Sequence, residues 1–426
     1  MTHIAIIGAG ITGTTTAWSL LKRGFDVTLI DKARYAGMET SFANGGQLSA
    51  SNAEVWNSWG NVKKGIRWMF KKDAPLLMNP MPSWHKYSWM AEFMANIPRY
   101  EENTVQTVRM AIAAREHMFD MAREAAVDFN HEKRGILHIY KTKKEFDQAE
   151  RVSKLYAKGG LDRRAVTPDE IREIAPTMVG EFFGGLFTES DSTGDIHKFS
   201  VGLAEAVERH GGRFLSETEV TSLSTDALGT TVRFKTDGKS HSETFDGVVV
   251  CAGVASKALA SQLGDRVNIY PVKGYSITVE LHGAENQAAA PWVSLLDDDA
   301  KIVTSRLGRD RFRVAGTAEF AGYNKDIRAE RIKPLVDWCN RYFPGMSTEK
   351  VVPWAGLRPM MPDMMPRVGR GKKPGVFYNT GHGHLGWTLS AVTAEMVAAD
   401  VEGQLGKPLH PTYPQPGDGD YLIAAE

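Results

Sequence analysis

At 426 residues the chain is too long for one compact core, so two domains are expected. Apolar residues make up 42% and charged residues 24%, with 51 Lys plus Arg balancing 51 Asp plus Glu. This composition suits a soluble globular enzyme and excludes a global field that would draw nucleic acid. Two cysteines, Cys251 and Cys339, exclude a disulfide scaffold and a Cys-rich metal centre and fit a reducing, cytoplasmic setting.

The opening MTHIAIIGAGITG has no basic leader and is broken by glycines, so it reads as a first strand and not a signal peptide. No run of 18 apolar residues occurs, so no membrane span is expected. Residues 3–7 predict a strand buried on both faces, 14–23 a helix ended by Gly24, and 25–30 a second strand closing at Asp31. A polar, glycine-rich stretch follows at 39–51. From 52 to 130 the composition turns to Trp, Met and Lys in short helical patterns, with five of the ten tryptophans between Trp56 and Trp89, which suggests a different domain.

Farther along, 136–140 predicts a strand and 141–160 an amphipathic helix. Thr167 caps a helix over 167–176, and 199–212 predicts another helix. Residues 245–253 read as a buried strand entering a glycine turn. The segments 270–281, 300–306 and 311–320 alternate like antiparallel strands of a sheet with one exposed face. Residues 375–403 give strand, glycine-rich loop and closing helix, and 411–421 predict a surface tail.

Gly8-Ala9-Gly10-Ile11-Thr12-Gly13 matches GxGxxG between a strand and a helix, with Asp31 placed 21 residues beyond Gly10. Gly8 makes the turn, Gly10 lets backbone approach a pyrophosphate, and Gly13 lets helix and strand pack closely. The helix N-terminus offers N–H groups to phosphate, and the Asp31 carboxylate can accept from ribose hydroxyls. Ile7, Ala9, Ile11, Thr12 and Lys32 flank these positions and join the cofactor set. The motif alone does not choose between NAD and FAD. Two further strand-to-glycine turns, near Gly253 and at 379–388, favour the longer FAD. The second opens a helix, so Leu385 to Thr388 can aim N–H groups at a flavin pyrimidine edge.

The chain resembles the D-amino acid dehydrogenases, quinone-linked flavoproteins of the D-amino acid oxidase and glycine oxidase superfamily. The likeness rests on ETSFANGGQLS (39–49), IRWMFKKDAPL (66–76), YPVKGYSIT (270–278), GLRPMMPDMMPRVGR (356–370) and NTGHGHLGWT (379–388). It implies an α/β fold, with a discontinuous Rossmann-like FAD-binding domain (1–51, 195–262, 353–426) and an α+β substrate domain with an antiparallel sheet (52–194, 263–352). It further implies that Thr40, Ser41, Asn44, Gly46 and Gln47 lie along the flavin and that Val220 contacts the adenine part. Gly383, Gly386, Trp387 and Thr388 would hold the pyrimidine edge. Arg358 matches an arginine placed against a substrate carboxylate, and Tyr275 a lid or carboxylate partner. The sequence departs from the pattern at PDMMP (362–366) and at His384 in GHGHLGW.

In that superfamily a hydride passes from the substrate α-carbon to the flavin, so the protein orients more than it protonates. Arg358 suits a carboxylate because its planar fork fixes geometry, and the alternative is an ion pair at the surface or between domains. Arg306 reads as a structural ion pair, and Tyr275 serves equally as a half-buried sheet residue. The His382/His384 pair lacks further ligands for a metal, so no metal is expected. One of the two is expected to be a hydrogen-bonding or pKa-tuned group, and His382 is counted with Arg358 and Tyr275 at the reacting end. Neither cysteine falls in a flavin-facing block, so the FAD is expected to be non-covalent.

On a helical wheel over 59–72, Trp59, Val62, Ile66, Met69 and Phe70 share one arc, and Lys63, Lys64, Arg67 and Lys71 the next. That pattern suits an anionic membrane surface, or else a helix packed on its own domain. The expected reaction converts a small D-amino acid to a 2-oxo acid and ammonia, with electrons passed to a quinone or another non-oxygen acceptor. The alternatives are an oxidase of glycine, sarcosine or a cyclic imino acid using O2, and a flavin-binding subunit without turnover of its own. The expected placement is cytoplasmic, with peripheral contact on the inner face of the cytoplasmic membrane as the option that the 59–72 pattern adds.

Overall fold

A computed structural model describes residues 2–68, 76–79 and 81–406. Two sheets organise the chain. The first has six strands in the order Arg367–Arg370, Val376–Thr380, Gly247–Val250, His3–Ile7, Asp26–Ile30, Arg213–Leu215, parallel except for the first. Its apolar runs are buried on both faces because alternate residues serve two cores. Ile4 and Ile6 pack with Trp18, Phe199 and Trp387 on the helices Ile11–Lys22, Ile196–Arg209 and Gly386–Leu405. Ala5 and Ile7 pack with Leu223, Val232 and Leu259, which belong to a three-stranded sheet (Thr218–Phe245) and the helix Ser256–Gln262. Burying both faces is what a crossover-connected parallel sheet demands.

The second sheet has eight strands along one path: Val351–Met360, Tyr270–Glu280, Arg311–Phe320, Ile302–Arg306, Ser294–Asp297, Ile136–Tyr140, Gly184–Thr188, Arg164–Val166. Leu76–Met78 adds a ninth beside Arg311–Phe320. Most pairs are antiparallel. The fold is thus α/β with a parallel sheet and a separate, largely antiparallel one.

The expectation of an exposed face on this second sheet is wrong. Tyr270–Glu280 is buried along nearly its whole length. Tyr275, Ile277 and Val279 face the helix Ala329–Tyr342. The polar alternates meet the 43–46 loop of the first region and not water. Ser276 Oγ donates to the Ala43 carbonyl (2.7 Å), Ser305 Oγ to Gly45 (2.6 Å) and Arg313 Nη1 to Asn44 (3.2 Å). A polar face hydrogen-bonded to a neighbouring loop has the same sequence pattern as one facing solvent.

Two more expectations change. The short helical patterns of 52–130 include a 25-residue helix, Tyr100–Glu124, whose Met118 and Met121 join the core of the first sheet. Arg358 was expected on an irregular segment, yet it sits inside the strand Val351–Met360, opposite Val272. That strand straddles residue 353, where the sequence reading divides the domains. Met69, Phe70, Lys71 and the expected 411–421 tail lie outside the described residues. No helix among the described residues is long and apolar enough to cross a membrane.

Candidate active site

Turn chemistry builds one end of the site. Gly8 has φ +106° and its backbone lies against the Cys251 carbonyl, while a Cβ on Gly13 would collide with the Gly8 carbonyl oxygen. Above Gly10 only Ser41 Oγ is near, at 3.5 Å from where a Cβ would stand. The three glycines therefore do three jobs: a left-handed turn, an open face, and close helix–strand contact. Ile11 N–H donates to Ser41 Oγ (3.0 Å), which ties the 39–47 loop to the helix N-terminus.

Asp31 closes this end. Its carboxylate accepts from Ala9 N–H (2.6 Å) and Ala33 N–H (2.7 Å), and burial raises its pKa against those two bonds. Its remaining lone pairs face the cavity. Lys32 beside it reaches Glu39 at 3.5 Å.

One cavity of about 1850 Å³ is lined by Ile7, Gly8, Gly10, Ile11, Thr12, Asp31, Lys32, Thr40, Ser41, Asn44, Gly46, Gln47, Val220, Gly253, Gly383, Gly386, Trp387 and Thr388. Arg358, Tyr275 and His382 line it too. The structure thus brings together every residue assigned above to the cofactor or the reacting end except Ala9 and Gly13, whose roles are the Asp31 bond and helix packing.

Local bonds hold this lining in place. Thr40 Oγ1 donates to Leu357, Gln47 Nε2 to Ser294 Oγ, and Ser49 N–H to Thr388 Oγ1. Gln47 Oε1 and Trp387 Nε1 are buried and lack a protein partner. At the second glycine turn, Leu385 N–H is spent on the His382 carbonyl, so Gly386, Trp387 and Thr388 are left to present N–H groups from the helix N-terminus.

The other end of the cavity is built from side chains. Arg358 donates to the Thr317 carbonyl (3.2 Å), and its guanidinium lies over Gly274, where a Cβ would strike Cζ and both Nη atoms. Desolvation pushes its pKa down to about 10, and it forms no ion pair among the described residues. A half-buried arginine that opens on the cavity without an ion-pair partner suits an anionic ligand.

Thr317 is a residue that sequence reasoning missed. It has φ +56° in a bulge of Arg311–Phe320, an unusual backbone for a β-branched residue, and its carbonyl serves Arg358. Nothing in its local sequence announces this.

The histidines are both neutral. Burial holds His382 near pKa 3, with Nε2 beside Thr393 Oγ1 (2.9 Å). His384 is held near 4 by burial and by the Arg358 charge. Its ring stacks on Trp56 (centroids 4.8 Å apart), and Nε2–H donates to the Asn52 carbonyl (3.3 Å).

Tyr275 lines the cavity, but its hydroxyl donates to Glu319 (2.8 Å), within a buried set that includes Lys273 and Arg328. Arg306 is structural, though not through the expected ion pair. It donates to the carbonyls of Gln287, Ala290, Gly308 and Arg309 and lies over Trp292. Cys251 is buried, with its thiol pushed up to about 12 by desolvation.

These features, a dinucleotide turn at one end and an uncompensated guanidinium at the other, meet a family pattern for FAD-dependent oxidoreductases (DAO) that matches residues 3–399. The chain belongs to that family. Its cofactor is FAD, and it is an oxidoreductase. The residues present fit the group: an open Gly10 face, a helix N-terminus, Asp31, and a second helix N-terminus at Gly386 all border one elongated cavity.

This FAD-dependent oxidoreductase is 60% identical to D-amino acid dehydrogenase 3 of Mesorhizobium japonicum, over 95% of this chain and 98% of that one. It is 39% identical to the D-amino acid dehydrogenase of Paramagnetospirillum magneticum, over 94% and 95% respectively. Its fold is similar to glycine oxidase from Geobacillus kaustophilus (TM-score 0.74, 19% identity, covering 95% of this chain and 96% of that one). L-Proline dehydrogenase from P. horikoshii is also similar (TM-score 0.71, 19% identity, 96% and 95%).

Proposed function

We propose that this oxidoreductase catalyses D-amino acid + H2O + acceptor → 2-oxo acid + NH3 + reduced acceptor, with small D-amino acids as substrates and a quinone as acceptor. The observation that carries the reading is Arg358, a half-buried guanidinium with no ion pair among the described residues, which faces the cavity shared with the dinucleotide turn. The substrates named for the curated relatives support the same assignment.

FAD supplies the two-electron acceptor. The chain supplies orientation. Arg358 takes the carboxylate in a bidentate grip, and the Thr317 carbonyl fixes the rotation of its fork. His384 and Trp56 form a wall beside it that excludes water. Because both histidines are neutral, neither is charged against an incoming ammonium. Water then adds to the released imine to give oxo acid and ammonia. We place FAD in a domain built from 1–51, 195–262 and 353–426, bound without a covalent link, and the substrate sheet in 52–194 and 263–352.

The acceptor side of the proposal rests on an apolar wall. Trp89, Met90, Phe93, Leu76 and Met78 line the cavity, and Trp59, Met81, Trp84 and Met94 on the same excursion are exposed. Lys63, Lys64 and Arg67 are exposed on the adjoining helix Trp59–Trp68. Aromatic and basic groups together suit the headgroup zone of an anionic bilayer, which favours a peripheral site on the inner face of the cytoplasmic membrane.

An anaerobic flavin-reduction screen over D-, L- and N-substituted amino acids tests the reaction. Bleaching by D-alanine with little peroxide in air is the expected result. Steady peroxide would make the chain an oxidase, and no bleaching by any D-amino acid would overturn the reading. Co-sedimentation with phosphatidylglycerol vesicles tests the placement and should fall when Lys63 and Lys64 become Gln.

A further inference from the structure

Beyond Arg358 and His384, Glu54 is among the carboxylates that line the cavity and form no ion pair among the described residues. Asn52 ends a 3-10 turn (Ala50–Asn52), and burial alternates from there: Ala53 and Val55 are buried in apolar clusters, while Asn52, Glu54 and Trp56 line the cavity. Asn52 and Trp56 both touch His384, the first through its carbonyl and the second by stacking. Glu54 lies two residues from each and lines the same cavity as His384, the group that borders Arg358.

Glu54 Oε1 accepts from the Tyr100 hydroxyl at 2.6 Å, and it forms no ion pair among the described residues. Desolvation raises its pKa, against the Tyr100 bond and the more distant charges of Lys301 and Lys64. Neither lysine forms an ion pair with it among the described residues. Lys301 is engaged with Asp298, Lys64 stands exposed on the helix Trp59–Trp68, and Arg163 lies over Tyr156 and donates to Ser153. A half-buried carboxylate with one neutral donor and no ion pair is favourable ground for an incoming cation.

We infer that Glu54 forms a distal subsite for a positively charged substrate side chain, so that basic D-amino acids are taken as well as small ones. The inference rests on Arg358 holding the α-carboxylate. Arg358 and Glu54 would then grip opposite ends of one molecule, with Trp56 and His384 along its aliphatic stem. A lysine or arginine side chain supplies both the charge and the methylenes that such a wall covers.

The test compares anaerobic flavin reduction by D-arginine, D-lysine, D-alanine and D-glutamate in the wild-type holoenzyme and in Glu54→Gln, which keeps the acceptor for Tyr100. The wild type should reduce with both basic substrates. In Glu54→Gln their kcat/KM should fall about 30-fold or more, the scale for losing one member of a buried charge pair. D-Alanine should change less than about twofold and FAD content should stay the same.

Equal losses for D-arginine and D-alanine would mean Glu54 holds the fold, and would overturn the subsite. A wild type that favours D-glutamate over D-arginine would overturn it too, because Lys301 and Arg163 would then set the distal end. Reduction by D-alanine without reduction by either basic substrate defeats the subsite alone. Failure with every D-amino acid defeats the reaction on which it rests.

Discussion

At one end of the cavity, six consecutive residues make a binding surface out of backbone. At the other, a guanidinium, a bulge and two histidines arrive from separate segments, and one contact, Asn52 to His384, spans 332 residues of chain. The glycine turn needs no particular side chain, only the absence of Cβ atoms at Gly8, Gly10 and Gly13. The Arg358 end needs specific groups, and each depends on another element for its pose. Arg358 leans on Thr317, Thr317 on a bulge, and His384 on Trp56. A backbone site should therefore fail by losing cofactor or fold, and a side-chain site by losing chemistry while the cofactor stays.

The largest expected effect lies at the side-chain end. Arg358→Ala should cost about 2–5 kcal/mol in transition-state binding, and loss of orientation can add roughly 100-fold in rate. FAD should remain near stoichiometric, and Arg358→Lys should recover only part because a point charge lacks the fork. The decisive comparison is anaerobic reduction by a D-amino acid and by the same amine lacking its carboxylate. If both suffer equally, Arg358 is structural and the contrast between the two ends collapses.

The backbone end divides internally. In Gly13→Ala the new methyl meets the Gly8 carbonyl, a fixed backbone atom, so a loss of about 3 kcal/mol or more is expected. Gly10→Ala meets only Ser41 Oγ at ordinary contact distance, so apoprotein stability should move by less than about 0.5 kcal/mol while FAD affinity falls. Thermal unfolding of the two apoproteins beside FAD titration separates them. Similar stability for both variants would show that helix–strand contact is not what Gly13 provides.

The smallest effect is a pH dependence that belongs to the side-chain end. His382 near 3 and His384 near 4 lie below the 6.5 of an unfolded imidazole. On acidification the unfolded chain binds protons first. The stability contributed by the neutral rings is complete above about pH 6.5 and is lost as pH falls toward those folded values. Tm measured from pH 7 to 4.5 should decline, and the slope should shrink in His384→Gln. An unchanged slope would mean His384 titrates normally.

How much of this was legible follows from the range of each interaction. Burial of His3–Ile7 on both faces, the GxGxxG geometry and the capped helix at Thr167 rest on contacts within a few residues, so pattern and spacing carried them. The resemblance in the 39–49 and 379–388 blocks led to segments that do meet in one cavity. Arg358 was found as a residue but put on the wrong kind of element. Gly356 and Pro359 suggest irregular chain, whereas ten residues of pairing with Tyr270–Glu280 make it a strand.

By itself the sequence determined the dinucleotide turn and the alternation of helices and strands, because glycine sterics and hydrophobic period are local, while the 39–47 and 383–388 residues were reached through the resemblance. Tertiary structure alone decided which polar residues meet water and which meet another loop, as Ser276 and Ser305 do. It also decided that Asp31 spends two lone pairs on Ala9 and Ala33, that Thr317 takes a left-handed turn to hold Arg358, and that Glu54 meets Tyr100. Each of these depends on which distant group supplies the hydrogen bond or the charge, and that is fixed only when the two sheets and the 52–56 segment close around one cavity.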